Sequence, residues 1–224
     1  MGEHVTLTAG DGFELDAYVA RPGKEATGAI VVIQEIFGVN KHIREVTDGF
    51  AADGYVAVAP AIFDRFQKGV ELGYEGDDIT TGAGIARGKL DPANTMKDLQ
   101  AAIDYAGQFG KVGVVGYCFG GLMTWLCAGR ATGLSCAVGY YGGGIATQLD
   151  VKPKVPTMLH FGDKDAHIPL SDVDKVRAAH PEVDVNVYEA DHGFNCDHRA
   201  SYDADAAKAA RSKTMAFFAT HLAR

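Results

Sequence analysis

The sequence predicts an α/β fold: a mostly parallel central sheet with helices on both faces and an antiparallel hairpin at its start. Three observations carry that prediction. Short β-branched apolar runs alternate with amphipathic stretches of helical period along most of the 224 residues. The run at 28–34 is continuously apolar, which marks a strand covered on both faces, and those at 55–59 and 111–115 read as buried strands too. The first twenty residues do alternate in polarity, with 5–8 and 13–19 flanking an Asp11-Gly12 turn, as a hairpin requires.

After the strand at 28–34, Asn40 is placed to cap a helix whose Ile43, Val46 and Phe50 share one face, and Gly54 ends it. Pro60 stops the strand at 55–59. Residues 60–92 are the least regular part, with Gly69, Gly73, Gly76, Gly82, Gly84 and Gly88 set among Asp64, Arg65, Glu71, Tyr74, Asp77, Asp78 and Arg87. An excursion of that length predicts either a functional lid or a disordered loop. Leu99, Ala102, Ile103 and Ala106 give a helical stripe leading into the strand at 111–115. A helix follows, carried by Leu122, Trp125, Leu126 and Gly129. Further strands are expected at 136–141, 156–161 and 183–188, with a helix at 172–179 between the last two and a final helix over 204–222. No internal repeat, linker or second domain is visible, so residues 1–224 are expected to form one domain.

Composition narrows the function. A net charge of −8 argues against nucleic acid or an anionic membrane as a partner. No apolar run is long enough to span a bilayer, and the N-terminus lacks the basic and apolar regions of a signal peptide. The four cysteines (118, 127, 136 and 196) have no paired C-x-x-C spacing, which fits reduced thiols in the cytoplasm; Cys127 and Cys136 read as core filler. No dimer surface is evident, so a monomer or weak homodimer is expected.

The chemistry centres on Gly116-Tyr117-Cys118-Phe119-Gly120-Gly121, between the strand at 111–115 and its following helix. This is the pattern Gly-x-nucleophile-x-Gly. A sharp strand-to-helix turn lifts the central side chain clear of the sheet, and the flanking glycines admit close neighbours. The helix N-terminus beyond it favours a thiolate. A nucleophile needs a base and an orienting acid, and in this architecture they follow on loops after later strands. The strand at 156–161 leads to Gly162-Asp163-Lys164-Asp165, and the strand at 183–188 leads to Asp191-His192-Gly193. Asp165 and His192 are therefore the expected acid and base. Asp163 and His167 are weaker competitors, His160 reads as a core histidine, and His4, His42, His180 and His221 as surface residues. An oxyanion hole is expected from the N–H groups of Phe119 and Ile36, the latter on the loop after the strand ending at Gln34. That loop would put Glu35 near the thiol.

The motifs at 34–40, 116–121, 138–142 and 192–194 together resemble the dienelactone hydrolase (carboxymethylenebutenolidase) family, and the similarity spans essentially the whole chain. The resemblance implies an α/β-hydrolase fold without a large cap. It also implies a Cys-His-Asp triad that opens an enol-lactone through an acyl-enzyme, without a cofactor, and a glutamate at the position of Glu35 that interacts with the resting cysteine. One departure concerns the substrate. Similar lactone-opening members bind the substrate carboxylate with two arginines, where this sequence has Cys196 and Thr80. Arg65, Arg87 and Arg199 are the candidate substitutes, and Tyr140 and Tyr141 are candidate pocket residues. The expected substrate is a small activated ester or lactone. Zinc ligation within 191–198 is conceivable from the residue types, but the spacing matches no common site, and no metal is expected. Two other readings remain open from sequence: a non-catalytic binding protein on this scaffold, and a redox role for Cys118 with Cys196 as its resolving thiol.

Overall fold

A computed structural model describes residues 2–223. Its elements in chain order are β1 (Glu3–Thr8), β2 (Glu14–Ala20), β3 (Ala29–Ile33), α1 (Lys41–Ala52), β4 (Val56–Pro60), α2 (Asp77–Gly88), α3 (Pro92–Ala106), β5 (Val112–Tyr117), α4 (Phe119–Arg130), β6 (Leu134–Tyr140), β7 (Thr157–Gly162), α5 (Leu170–Ala179), β8 (Asp184–Tyr188) and α6 (Ala204–Leu222). One sheet holds all eight strands in the order β1-β2-β4-β3-β5-β6-β7-β8. β1 pairs antiparallel with β2 and β2 antiparallel with β4; every other neighbour is parallel. This is the α/β-hydrolase fold the sequence predicts.

Two glycines of β5 reveal the layering. A Cβ on Gly113 would meet Phe218 and Leu222 of α6, and one on Gly116 would meet Gly120 and Thr124 of α4. Positions three apart on a strand point to opposite faces, so α6 and α4 cover opposite sides of the sheet. α1 joins α6, with the rings of Phe50 and Phe218 5.9 Å apart. α3 packs beside α4. Every residue of β3, β4 and β5 is buried, the outcome expected of strands covered on both faces. Their burial drives assembly of the core, and the parallel order aligns their C-terminal ends along one edge. The order turns at β3, with β4 on one side and β5 on the other, and ligands of such sheets bind at that switch point.

Helix ends follow the capping residues. Asn40 accepts from the Ile43 N–H at the start of α1, and Asp203 does the same for Ala206 at α6. Asp91 caps α3, with Pro92 at its first position. The segment 60–92 is more ordered than its composition suggests, which corrects the disordered alternative. Asp64 accepts from the Asp16 and Gly69 N–H groups and pins the chain just after β4. Residues 77–88 form α2, with Asp77 and Asp78 in its first turn and Arg87 in its last, each favourable to the helix dipole. Three glycines within α2 weaken its helical signal in the sequence. Two histidines also differ from expectation. His42 and His180 are only 3% exposed rather than on the surface: His180 is held by the Leu149 carbonyl and the Trp125 ring, and His42 faces the loop after β8.

Candidate active site

Cys118 sits between β5 and α4 with φ 55° and ψ −115°, one of two non-glycine residues with positive φ among those described. Such a conformation is costly for a side-chain-bearing residue and persists only where its surroundings impose it. Here they do. A Cβ on Gly116 would lie 2.0 Å from the Gly120 carbonyl oxygen, and one on Gly120 would lie 2.3 Å from that of Ile33. The Cys118 N–H donates to the Tyr140 carbonyl at 3.0 Å, tying the turn to β6. The thiol is half-buried, whereas Cys127, Cys136 and Cys196 are fully buried. Burial pushes the thiols of Cys127 and Cys136 up to about 12, which fits core filler.

His192 and Asp165 meet as the sequence predicts. His192 Nδ1 lies 2.7 Å from Asp165 Oδ2, and both residues are at least nine-tenths buried. The second carboxylate oxygen of Asp165 accepts the His167 N–H at 2.8 Å, so the acid is fixed from both sides. Asp163 is exposed, and its N–H is bonded to the Tyr188 carbonyl. His167 contributes its backbone to Asp165 and its ring to a contact 5.3 Å from that of His192. Burial is the largest influence on the His192 ring and opposes its charge. The hydrogen bond to Asp165 and the influence of nearby Cys118 outweigh it and raise the ring to about 10. An imidazolium is thereby favoured beside the sulfur.

Glu35 follows β3 and is wholly buried. Its Oε1 lies 3.4 Å from Arg199 Nη1, and its Oε2 has no hydrogen-bond partner. Arg199 lies beside the contacting rings of Phe37 and Tyr74, at 5.9 and 5.8 Å from their centroids. Gly193 makes room for it: with φ 80°, a Cβ there would stand 2.6 Å from Arg199 Nη1. α2 closes the same side. A Cβ on Gly82 would lie 2.1 Å from the Ile36 carbonyl oxygen, so this helix rests on the loop that carries Glu35 and Ile36. Phe119 is the first residue of α4, where an N–H has no acceptor within the helix.

The other candidates separate cleanly. Arg65 makes two 2.8 Å bonds to the buried Asp98, a third to Asp11, and stacks on Phe13, which uses its guanidinium structurally. Arg87 and Thr80 are exposed on α2. Tyr140 is fully buried with its hydroxyl 2.7 Å from Thr214 Oγ1, which in turn lies 3.0 Å from His160 Nε2; this tyrosine belongs to the core. Tyr141 is the other residue of positive φ, at 36°, and its buried ring lies 5.1 Å from that of His192. Sequence reasoning missed Tyr74, whose ring contacts Phe37 and stands beside Arg199 and His42. Its only sequence signal is being an aromatic residue in a glycine-rich, charged segment.

The whole arrangement lies at the C-terminal edge of β3, β5, β7 and β8. No helix among the described residues is long and apolar enough to cross a membrane. Residues 15–222 match the model of the dienelactone hydrolase family. The chain is 37% identical over 232 residues to a Synechocystis protein provisionally named carboxymethylenebutenolidase, with 93% of each covered. It is 34% identical over 227 residues to the carboxymethylenebutenolidase of Pseudomonas putida, covering 97% of this chain and 96% of that one. Among solved structures, a Klebsiella pneumoniae protein provisionally named dienelactone hydrolase superposes with a TM-score of 0.83 at 30% identity, covering 98% of this chain and 99% of the other. The chain belongs to the dienelactone hydrolase family, hydrolases of carboxylic esters and lactones.

Proposed function

We propose that this chain cleaves small activated esters or lactones with Cys118 as nucleophile, His192 as base and Asp165 as its orienter. The observation that carries this reading is the 2.7 Å bond between buried Asp165 and His192, whose ring in turn interacts with the thiol at the strained turn. In the first half-reaction the Cys118 sulfur attacks the carbonyl carbon, and the Phe119 and Ile36 N–H groups receive the developing oxyanion. Collapse breaks the C–O bond, and the imidazolium of His192 protonates the departing oxygen, leaving a thioester. Water then attacks the thioester, His192 takes its proton, and the thiolate leaves. A lactone keeps its leaving oxygen tethered to the acyl group, so ring opening gives a single hydroxy- or keto-acid product.

Arg199 is the cation best placed for a substrate carboxylate, because its only charged partner among the ion pairs of the described residues is Glu35. A substrate carboxylate that takes Arg199 would release Glu35. In this reading Glu35 restrains the thiol at rest and substrate binding displaces it. Tyr141 shapes the pocket wall behind His192. Folding of residues 1–224 as one unit fits the continuous sheet, whose strands extend from Glu3 to Tyr188.

The test is a hydrolysis screen of wild type and Cys118→Ala on cis- and trans-dienelactone, neutral p-nitrophenyl esters and thioesters. Dienelactone turnover lost in the variant supports the full proposal. Turnover of neutral esters alone supports the triad and moves the substrate elsewhere. No Cys118-dependent turnover on any of them refutes the reading.

A further inference from the structure

Beside the thiol site, one cluster of side chains has no role in the chemistry above. α1 presents His42 and Glu45, three residues apart and so on one face of the helix. The loop after β8 brings Asp197 and His198 against them. Asp197 Oδ1 lies 3.3 Å from His42 Nδ1 and 3.8 Å from His198 Nε2, and Glu45 Oε2 lies 2.7 Å from His198 Nε2. The four residues offer donor atoms that all lie within 4.8 Å of one another. A tetrahedral ion with bonds of ~2.0–2.1 Å holds its donors ~3.4 Å apart, a spacing these distances bracket.

His42 supplies an independent sign. Its side chain is 4% exposed, yet neither ring nitrogen has a hydrogen-bond partner, although Nδ1 lies within reach of Asp197. A buried polar nitrogen left unpaired is expensive and asks for an occupant. Access exists, because His42, Glu45, Asn195, Asp197, Tyr202 and Arg211 line a surface groove of about 360 Å³. We propose that His42 Nδ1, Asp197, His198 Nε2 and Glu45 form a binding site for a divalent transition metal, zinc above all. Two imidazoles and two carboxylates are a borderline-soft donor set that suits zinc better than magnesium or calcium, and two carboxylates balance its charge. The carboxylate of Glu45 gives up its bond to His198 on loading and keeps Lys41 at 3.6 Å on its other oxygen. The 191–198 segment has no recognisable metal spacing because half of the donors come from α1.

The site also touches the hydrolase machinery. His42, Glu35 and Cys196 form a second group of donors within 4.8 Å of one another. Metal on His42 Nδ1 fixes the proton on Nε2 and so makes His42 a hydrogen-bond donor within this second group, where Glu35 Oε2 has no partner. Zinc should therefore tighten the hold on Glu35, a consequence that rests on the role given to Glu35 above. The binding itself does not.

The experiment titrates chelator-treated protein with Zn²⁺ by calorimetry and with Co²⁺ by visible absorption, without reference to turnover. The expected result is one site per chain whose cobalt spectrum lacks a thiolate charge-transfer band. His198→Gln and Glu45→Gln, both at exposed positions, should each weaken binding, the former by more than ~100-fold, beyond the loss from a supporting partner alone. Cys118→Ser should bind as wild type does. The proposal is overturned by absence of saturable binding, by affinity unchanged in His198→Gln, or by a thiolate band that disappears in Cys118→Ser or Cys196→Ser. If binding holds but zinc leaves the pH–rate profile unchanged, the metal site stands and the Glu35 link fails.

Discussion

Replacing Asp165 by asparagine tests the ion pair on which the proposed chemistry depends. The amide keeps the size of the carboxylate and can still accept the His167 N–H, so the loop should fold. What it removes is the negative charge 2.7 Å from His192 Nδ1. Burial alone would push the ring down, and Asp165 is first among the groups that raise it, ahead of Cys118. Moving an imidazole from 6.5 to about 10 amounts to about 5 kcal/mol in favour of its charged form. Because the folded value lies above the unfolded one, this stabilisation is complete below 6.5 and is lost as pH rises through about 10. Wild-type stability should therefore fall across that window. In Asp165→Asn the fall should shrink by about 2–3 kcal/mol, since Cys118 supplies only part of the effect. Turnover should drop by ~10³- to 10⁴-fold, as it does when the acid behind a triad histidine is neutralised. Denaturant unfolding at the two ends of the window gives the first quantity, and the pH dependence of Cys118 alkylation reports the thiolate directly. If the variant keeps both the wild-type stability slope and the wild-type alkylation profile, Asp165 is not what charges His192.

Four further substitutions follow from the geometry. Gly82→Ala drives a Cβ to 2.1 Å from the Ile36 carbonyl oxygen, so it should cost about 1–3 kcal/mol of stability and lower kcat by at least ~10-fold by displacing the loop proposed to bind the oxyanion, measured by thermal melts and steady-state kinetics. Glu35→Gln removes a buried charge beside the site and should move the pH–rate profile toward lower pH; an unchanged profile removes Glu35 as a restraint on the thiol. Arg199→Ala should raise KM for carboxylate-bearing lactones by ~10- to 100-fold, the worth of a charge-assisted bond, and leave neutral esters near wild type. Thr214→Val strands His160 Nε2 and the Tyr140 hydroxyl in the core and should cost about 1–3 kcal/mol in denaturant unfolding with kcat preserved.

Much of this molecule is legible in its sequence because its strongest signals are local. The apolar run at 28–34 and the cap at Asn40 became β3 and α1, and the helix expected over 204–222 became Ala204–Leu222. Cys118, Asp165 and His192 could be proposed together from the Gly-x-nucleophile-x-Gly turn and the loops after later strands, since strand order brings those loops to one edge. The failures share a cause: they depend on partners distant in sequence. α2 is glycine-rich, and its place is secured by the Ile36 carbonyl, which no helical period reports. Arg65 and Arg199 look alike in sequence; Asp98 takes one and Glu35 meets the other. His42 and His180 read as surface residues because polarity, not packing, is all that a lone histidine displays.

If Arg199 serves the proposed substrate carboxylate, the site keeps a cation while position 196 holds a cysteine. Cys196 is fully buried, and burial raises its thiol to about 12, so it offers no cation to a substrate. Three residues later the backbone has turned: the Cys196 N–H bonds to the Gly193 carbonyl and the Arg199 N–H to that of Cys196. Two successive tight turns bring the Arg199 guanidinium back over His192-Gly193 and against Glu35. That path is open only because Gly193 has no Cβ, since the guanidinium occupies the space one would fill. The cation then rests beside the paired rings of Phe37 and Tyr74, and Tyr74 comes from the segment that also carries Thr80. One guanidinium, beside two aromatic rings, stands at this end of the site. In the role proposed for it, a single guanidinium would fix one carboxylate and leave less positive charge for a second, so the proposal favours monoanionic acyl groups.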